Sequence, residues 1–155
     1  MMSWPGHVPS GLVYSRMVSL LDVVPTAIAA ARGALPSDRA YDGVDLAPYL
    51  TGHKVGNPHQ ILAWREQPLE AIRDGDWKLW QSSGGEDGQY GKYQLLFNLG
   101  TDLNEARDLA GSDPQDVQRL AAELSRWSGG MITPKWPTKH PTTYDVCGRT
   151  FKLPI

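Results

Sequence analysis

The chain has 155 residues, 41% hydrophobic and 21% charged, a balance that excludes a wholly disordered polypeptide and suits one domain, or a domain with an accessory piece. Its net charge of −2 and pI near 6.0 give no basic excess for nucleic acid or an anionic membrane surface. The single cysteine, Cys147, excludes an internal disulfide and a multi-cysteine zinc site, and no apolar run approaches the roughly 20 residues of a membrane span.

Met1–Ser10 carries Trp-Pro-Gly and Val-Pro punctuation and reads as a loop at the end of a strand. It lacks a basic stretch followed by an apolar one, so no signal peptide is read here and the compartment stays open. Ser19 opens a helix, with Asp22 at the capping-box position, that runs through Ala31 to a cap at Gly33. Pro25 places a kink after its first turn. Leu20, Leu21, Val23, Val24 and Ile28 make this helix apolar on most sides, so it calls for cover on most sides. Arg32–Asp42 is a polar connector, and Asp45–Gly52 reads as one or two helical turns ended by Gly52.

Strands are expected at about Gln60–Arg65, Leu69–Arg73, Trp77–Gln81 and Tyr93–Asn98. The Asp74-Gly75 step marks a tight hairpin between the second and third. Ser82–Lys92, rich in Gly and charge, reads as a mobile loop, and Asn98–Leu109 as an acidic, turn-rich connector. Asp113 as N-cap and Pro114 at the first position start a final helix, which Gly129-Gly130 ends. Val117, Leu120, Ala121, Leu124 and Trp127 fall on one face of it. The fold class is therefore α+β: a small antiparallel sheet of about four strands packed by the C-terminal helix. Thr133–Ile155 is a Pro-containing tail; Lys135, Lys139, Arg149 and Lys152 against Asp145 give it a charge of about +3.

Few residues form a recognisable chemical motif. His53 and His59 read as solvated loop histidines, because no third ligand accompanies them. Asp74-Gly75-Asp76 is no EF-hand, since Lys78 and Gly85 occupy positions that need oxygen ligands. Ser82–Gly91 lacks a P-loop ending, and Gly-x-Ser-x-Gly is absent. Among the six tryptophans, Trp77 and Trp80 are three apart and point to opposite faces of a strand, one toward the core and one exposed or covered by the tail. Trp64 and Trp80 are candidates for stacking on a ligand or forming a pocket wall, with Arg73 and Lys78 beside them across the turn.

Several stretches resemble, in order, the C-terminal part of a type I, formylglycine-dependent sulfatase of the alkaline-phosphatase-like superfamily. Ser3–Gly6 with Val8–Gly11 resembles the strand end and loop closing the family's large sheet. Val18–Thr26 resembles its Ser-x-x-Asp-hydrophobic-x-Pro-Thr helix, and Asp42–Leu46 with Leu50-Thr51-Gly52 its Asp-Gly-x-Asp-Leu segment. Ala71–Leu79 is similar to the Arg-x-Gly-Asp-Trp-Lys-Leu hairpin of its C-terminal subdomain. Leu96–Leu99, Asp102–Glu105 and Asp108–Ala110 resemble the connector that follows. The likeness spans about residues 3–136.

The resemblance implies that residues 1–52 are the end of the large α/β domain, 53–132 the C-terminal subdomain and 133–155 a tail. The first helix would then pack on the large sheet. Sulfate-ester hydrolysis in the family uses a formylglycine hydrate on sulfur, a calcium ion, and Lys and His residues. The Cys-x-Pro-Ser-Arg nucleophile motif has no counterpart, since Cys147 precedes Gly148-Arg149-Thr150, and neither do the calcium ligands. The chain is therefore expected to be a C-terminal fragment or truncated reading frame, inactive alone, with no catalytic residue, cofactor or metal ligand of its own. It would complete the fold and shape the substrate pocket. Its partner would be an N-terminal sulfatase domain, in cis or in trans, and the full enzyme would take the sulfated substrate. In that setting Arg73 and Lys78 would help hold the sheet to the main domain. The rival is a non-catalytic carbohydrate-binding or protein-interaction module.

Overall fold

Antiparallel strands joined by tight turns build the sheet. The computed structural model describes residues 1–85, 88, 90–132, 135 and 141–154. Two units form, Met1–Gln60 and Ile61–Ile155.

The second unit contains the four-stranded sheet, in the order β1 (Ile61–Glu66), β2 (Leu69–Asp74), β3 (Trp77–Gly84) and β4 (Gly91–Asn98). Glu66 pairs with Leu69 across Gln67-Pro68, whose cis peptide puts proline at the third position of a type VI turn. Asp74 pairs with Trp77, so the two central residues of the next turn are Gly75 and Asp76, one step beyond the expected Asp-Gly. Gly75 has φ +58, as a type II′ hairpin turn requires at its first central position. The β3–β4 ladder extends to Gly84 opposite Gly91, so the expected Ser82–Lys92 loop narrows to the segment between those glycines. Residues 86, 87 and 89 of that segment lie outside the described residues.

α3 (Pro114–Gly129) seats on one face of the sheet. The Asp113 carboxylate accepts from the Asp116 N–H and caps its start. Ala63, Ile72, Leu79 and Leu96 form one cross-strand row, and the last three are fully buried with Val117, Leu120 and Leu124 of the helix. Burying each large side chain contributes roughly 1.5–3 kcal/mol before entropy. Polar ties frame this core. Arg119 bridges Asp74 and Asp116, Ser128 donates to Glu70, and the Arg65 guanidinium donates to the carbonyls of Ser128 and Ile132. The acidic connector after β4 uses its carboxylates as backbone caps. Asp102 accepts from Ala106 and Arg107, and Asp108 from Leu96 and Ala110.

Residues 141–154, read above as tail, form a second hairpin, β5 (Pro141–Val146) with β6 (Arg149–Pro154). The rest of the expected tail is described only at residue 135. Phe151 is buried with Leu95 and Phe97 on the sheet face away from α3.

In the first unit, a 3-10 turn (Leu20–Asp22) leads into α1 (Val23–Ala30), and Ser19 and Asp22 form the complete capping box. Pro25 falls in the first turn of α1, where its missing N–H costs no helical bond. The helix ends at Ala30, one residue before the expected Ala31, and the left-handed position falls at Arg32, one residue before the expected Gly33. Arg32 takes the left-handed conformation at φ +57, while Gly33 donates back to the Ile28 carbonyl. α2 spans Ala47–Leu50. Met1–Ser10, expected as a loop at a strand end, turns through Trp4–Val8, with the Trp4 ring stacked on His7 at 4.3 Å. No strand neighbour for it lies among the described residues.

Leu120→Ala should cost about 2–5 kcal/mol by removing a fully buried side chain from the centre of the seat. Urea denaturation followed by circular dichroism checks this, with Glu123→Ala, an exposed helix ion pair, expected to cost less than about 1 kcal/mol.

Candidate functional site

The four sequence-predicted candidates, Trp64, Arg73, Lys78 and Trp80, all lie on the sheet face opposite α3. Side chains alternate along a strand, and the register aligns the rows. Leu62, Arg73, Lys78 and Phe97 form one row, and Trp64, Ala71, Trp80 and Leu95 the next. Trp77 lies on the other face, packed at the edge of the α3 core, as its spacing from Trp80 requires.

The β5–β6 hairpin divides this face. Phe151, with Tyr93 tilted against it at 4.6 Å, packs over Leu95 and Phe97. Burial under this contact raises the Tyr93 phenol above its ordinary pKa. Trp80 packs at the margin of this cluster, while Trp64, on edge strand β1, is 47% exposed. Lys78 Nζ lies 4.7 Å from the centre of the Trp80 ring and 2.5 Å from Glu105 Oε1. Glu105 holds a left-handed backbone at φ +54 and accepts from the Cys147 thiol through its carbonyl, so it links the connector, β3 and the hairpin turn. Arg73 donates its Nε to the carbonyl of Gly75. A groove of about 660 Å³ takes in Trp64, Ala71, Lys78 and Trp80 and reaches Trp127 and Met131 at the end of α3.

A second polar centre lies in the first unit, and sequence reasoning missed it. Asp22 is fully buried. Its carboxylate accepts from the backbone N–H groups of Ser19 and Val44 and from His59 Nε2, which lies 2.8 and 2.9 Å from its two oxygens. Thr26 donates to the Asp22 carbonyl and accepts from the Leu46 N–H. His59, expected to be solvated, is 9% exposed, because a buried carboxylate needs donors and the imidazole supplies one. His53 remains on the surface, with Nδ1 2.8 Å from the Thr51 hydroxyl. Gly43 lies against the same turn, and a Cβ there would stand 2.0 Å from the Leu21 carbonyl oxygen. The capping box hinted at Asp22, but His59 is 37 residues away and carries no local signal.

Burial pushes the Cys147 thiol above its usual pKa, with the Asp108 charge adding to the effect, so thiolate is scarce. No three His, Cys, Asp or Glu side chains are grouped to hold a metal ion among the described residues. No described helix is long and apolar enough to cross a membrane.

Fold and face together define an α+β sheet–helix unit with one finished face and one part-open face, preceded by a small helical unit. No family model matches the chain. Arylsulfatase G of Canis lupus familiaris is 33% identical over 165 residues, covering 93% of this chain and 31% of the relative. N-acetylgalactosamine-6-sulfatase of Canis lupus familiaris is 30% identical over 172 residues, covering 94% and 32%. The crystal structure of Ps i-CgsB in complex with k-i-k-neocarrahexaose superposes with a TM-score of 0.68 at 27% identity, covering 88% of this chain and 30% of that one. The chain belongs to the sulfatase family and matches the C-terminal part of its members. It spans about a third of the length of these curated relatives.

Gly43→Ala and Asp22→Ala should each speed proteolytic cleavage within residues 32–60 while leaving 61–132 intact, because both disconnect that segment from the α1 turn. Limited proteolysis read by mass spectrometry checks this, with Gly111→Ala, where a Cβ meets nothing within 4 Å, as the silent control.

Proposed function

We propose that the chain forms the C-terminal part of a sulfuric ester hydrolase and works only with an α/β portion that carries the nucleophile and the metal. The observation that carries this is the apolar surface around the start of α1. Leu20 is 89% exposed, and Leu21, Val23 and Val24 are 57–59% exposed. The polar members of the same segment, Asp22 and Thr26, are buried instead. Such an arrangement suits a helix whose outer side meets a further layer, since covering each of these side chains is worth roughly 1.5–3 kcal/mol. The names of the relatives put the substrate class as a sulfate ester on a sugar or aryl group.

In this reading, formylglycine and calcium supply the ester-cleaving chemistry from the α/β portion. The chain's own work is structural: Asp22, Thr26 and His59 hold the segment that meets that portion, and the sheet stands beside the substrate pocket. The separate reading as a self-sufficient interaction module lacks a comparable observation, since an independent module would cover its own leucines and valines.

The purified chain should hydrolyse an aryl sulfate at the rate of buffer alone, because loss of a nucleophile costs several orders of magnitude. It should also bind a hydrophobic dye. Turnover that persists through repurification would overturn the proposal, as would a compact monomer that binds no dye.

A further inference from the structure

The β5–β6 hairpin meets the sheet through very little. Among its described side chains only Phe151 is buried, at 8% exposed, against Leu95 and Phe97. No backbone hydrogen bond joins the hairpin to the four-stranded sheet among the described residues. Its side-chain ties to that unit, among the same residues, are the Cys147 thiol on the Glu105 carbonyl at 3.1 Å and an Arg149–Asp108 pair at 3.4 Å. A thiol is a weak donor, and the Arg149 side chain is 59% exposed, so water screens the pair. A two-stranded hairpin has only marginal stability of its own in water, so its order depends on this contact.

The same contact carries a cost. Trp80 Nε1 and the Tyr93 hydroxyl are buried with no hydrogen-bond partner among the described residues. Trp80 is paired with Leu95, two residues along β4 from Tyr93, so the two side chains are diagonal neighbours on the face away from α3. Both pack against the cluster that Phe151 joins. The penalty for two such groups is of the same order as the gain from burying one phenylalanine. The hairpin turn adds to it. Cys147 holds a left-handed backbone at φ +52, which side-chain-bearing residues disfavour, and its thiol meets Glu105, itself at φ +54. The core of Ile72, Leu79 and Leu96 with α3 is a separate cluster on the other face.

We propose that the β5–β6 hairpin is a reversible strap: it closes over Trp80, Tyr93, Leu95 and Phe97 and lifts from them while the sheet and α3 stay folded. Gain and cost of similar size keep the closed and open forms in exchange, and a single buried anchor lets the hairpin leave as one piece. Opening uncovers an aromatic face with two hydrogen-bond donors, so the strap controls access to that face. The strap rests on packing within the second unit and is independent of the α/β portion proposed above.

Cys147 is the single cysteine of the chain, and the closed form holds its thiol against Glu105, so its labelling reports opening. The full chain is labelled with iodoacetamide under native conditions, and amide hydrogen exchange is followed in parallel. In the wild type the hairpin amides should exchange at least about tenfold faster than those of Ile72, Leu79 and Leu96. Phe151→Ala, which removes the anchor, should speed Cys147 labelling about tenfold or more and leave protection at Ile72, Leu79 and Leu96 unchanged. Tyr93→Phe is the decisive variant. It removes an unpaired buried hydroxyl and keeps the ring that meets Phe151, so it should slow labelling about threefold or more. A hydroxyl that stabilised the closed form would give the opposite sign. Labelling of Tyr93→Phe at the wild-type rate or faster overturns the proposal, as does wild-type labelling of Phe151→Ala. Equal exchange of hairpin and sheet amides in the wild type overturns it too, as does loss of sheet protection in Phe151→Ala, since either result makes the hairpin a fixed part of the core.

Discussion

The two-residue period of β3 governs the second unit. Trp77 and Leu79 point toward α3, while Lys78 and Trp80 point away from it. The paired strands repeat the division, so Ile72 and Leu96 join Leu79 while Arg73 and Leu95 fall on the other side. A slip of one residue would exchange Leu79 for Lys78 beneath the helix and leave a charge in the core. Two short turns prevent that slip, one at Gln67-Pro68 and one at Gly75-Asp76. The same constraint that builds the core therefore also brings Trp64, Ala71 and Trp80 into a row on the far face.

The first unit depends on a different kind of constraint. It contains little buried apolar area, and its order comes from a buried carboxylate. Asp22 gathers donors from positions 19, 44 and 59, and Thr26 extends the network to Leu46. A buried charge with its partners in place specifies one arrangement of three distant segments, because losing any donor leaves the carboxylate undersatisfied. Outward, the same helix presents leucine and valine. Polar inside and apolar outside is the reverse of a self-contained helix, and this inversion gives the proposed partner a physical basis.

Much of this architecture was legible in the sequence because its signals are local. Alternating residues marked the four strands, and the Asp113-Pro114 start and the Val117–Trp127 stripe marked α3. The four candidate residues were readable as a group, although only the register could show that they share a face. What escaped depends on distant partners or on departures from local preference. His59 looks like any loop histidine until Asp22 is folded against it. Gly43 is needed only because the Leu21 carbonyl comes so close. The left-handed cap fell on Arg32, against the preference for glycine at such a position. The β5–β6 hairpin has a polar, Pro-containing sequence with Phe151 as its buried anchor, too thin an alternation to announce a pair of strands.

The central proposal is an asymmetry: a sheet–helix unit with a buried core of its own, followed back along the chain by a helical segment whose exposed apolar side is proposed to meet a partner. Hydrogen exchange of the isolated full chain, read residue by residue, tests it most directly. The account predicts strong protection at Ile72, Leu79, Leu96 and Leu120 and exchange at least about tenfold faster at the amides of α1. Protection of α1 equal to that of the sheet core, in a chain that sediments as a monomer, would contradict it.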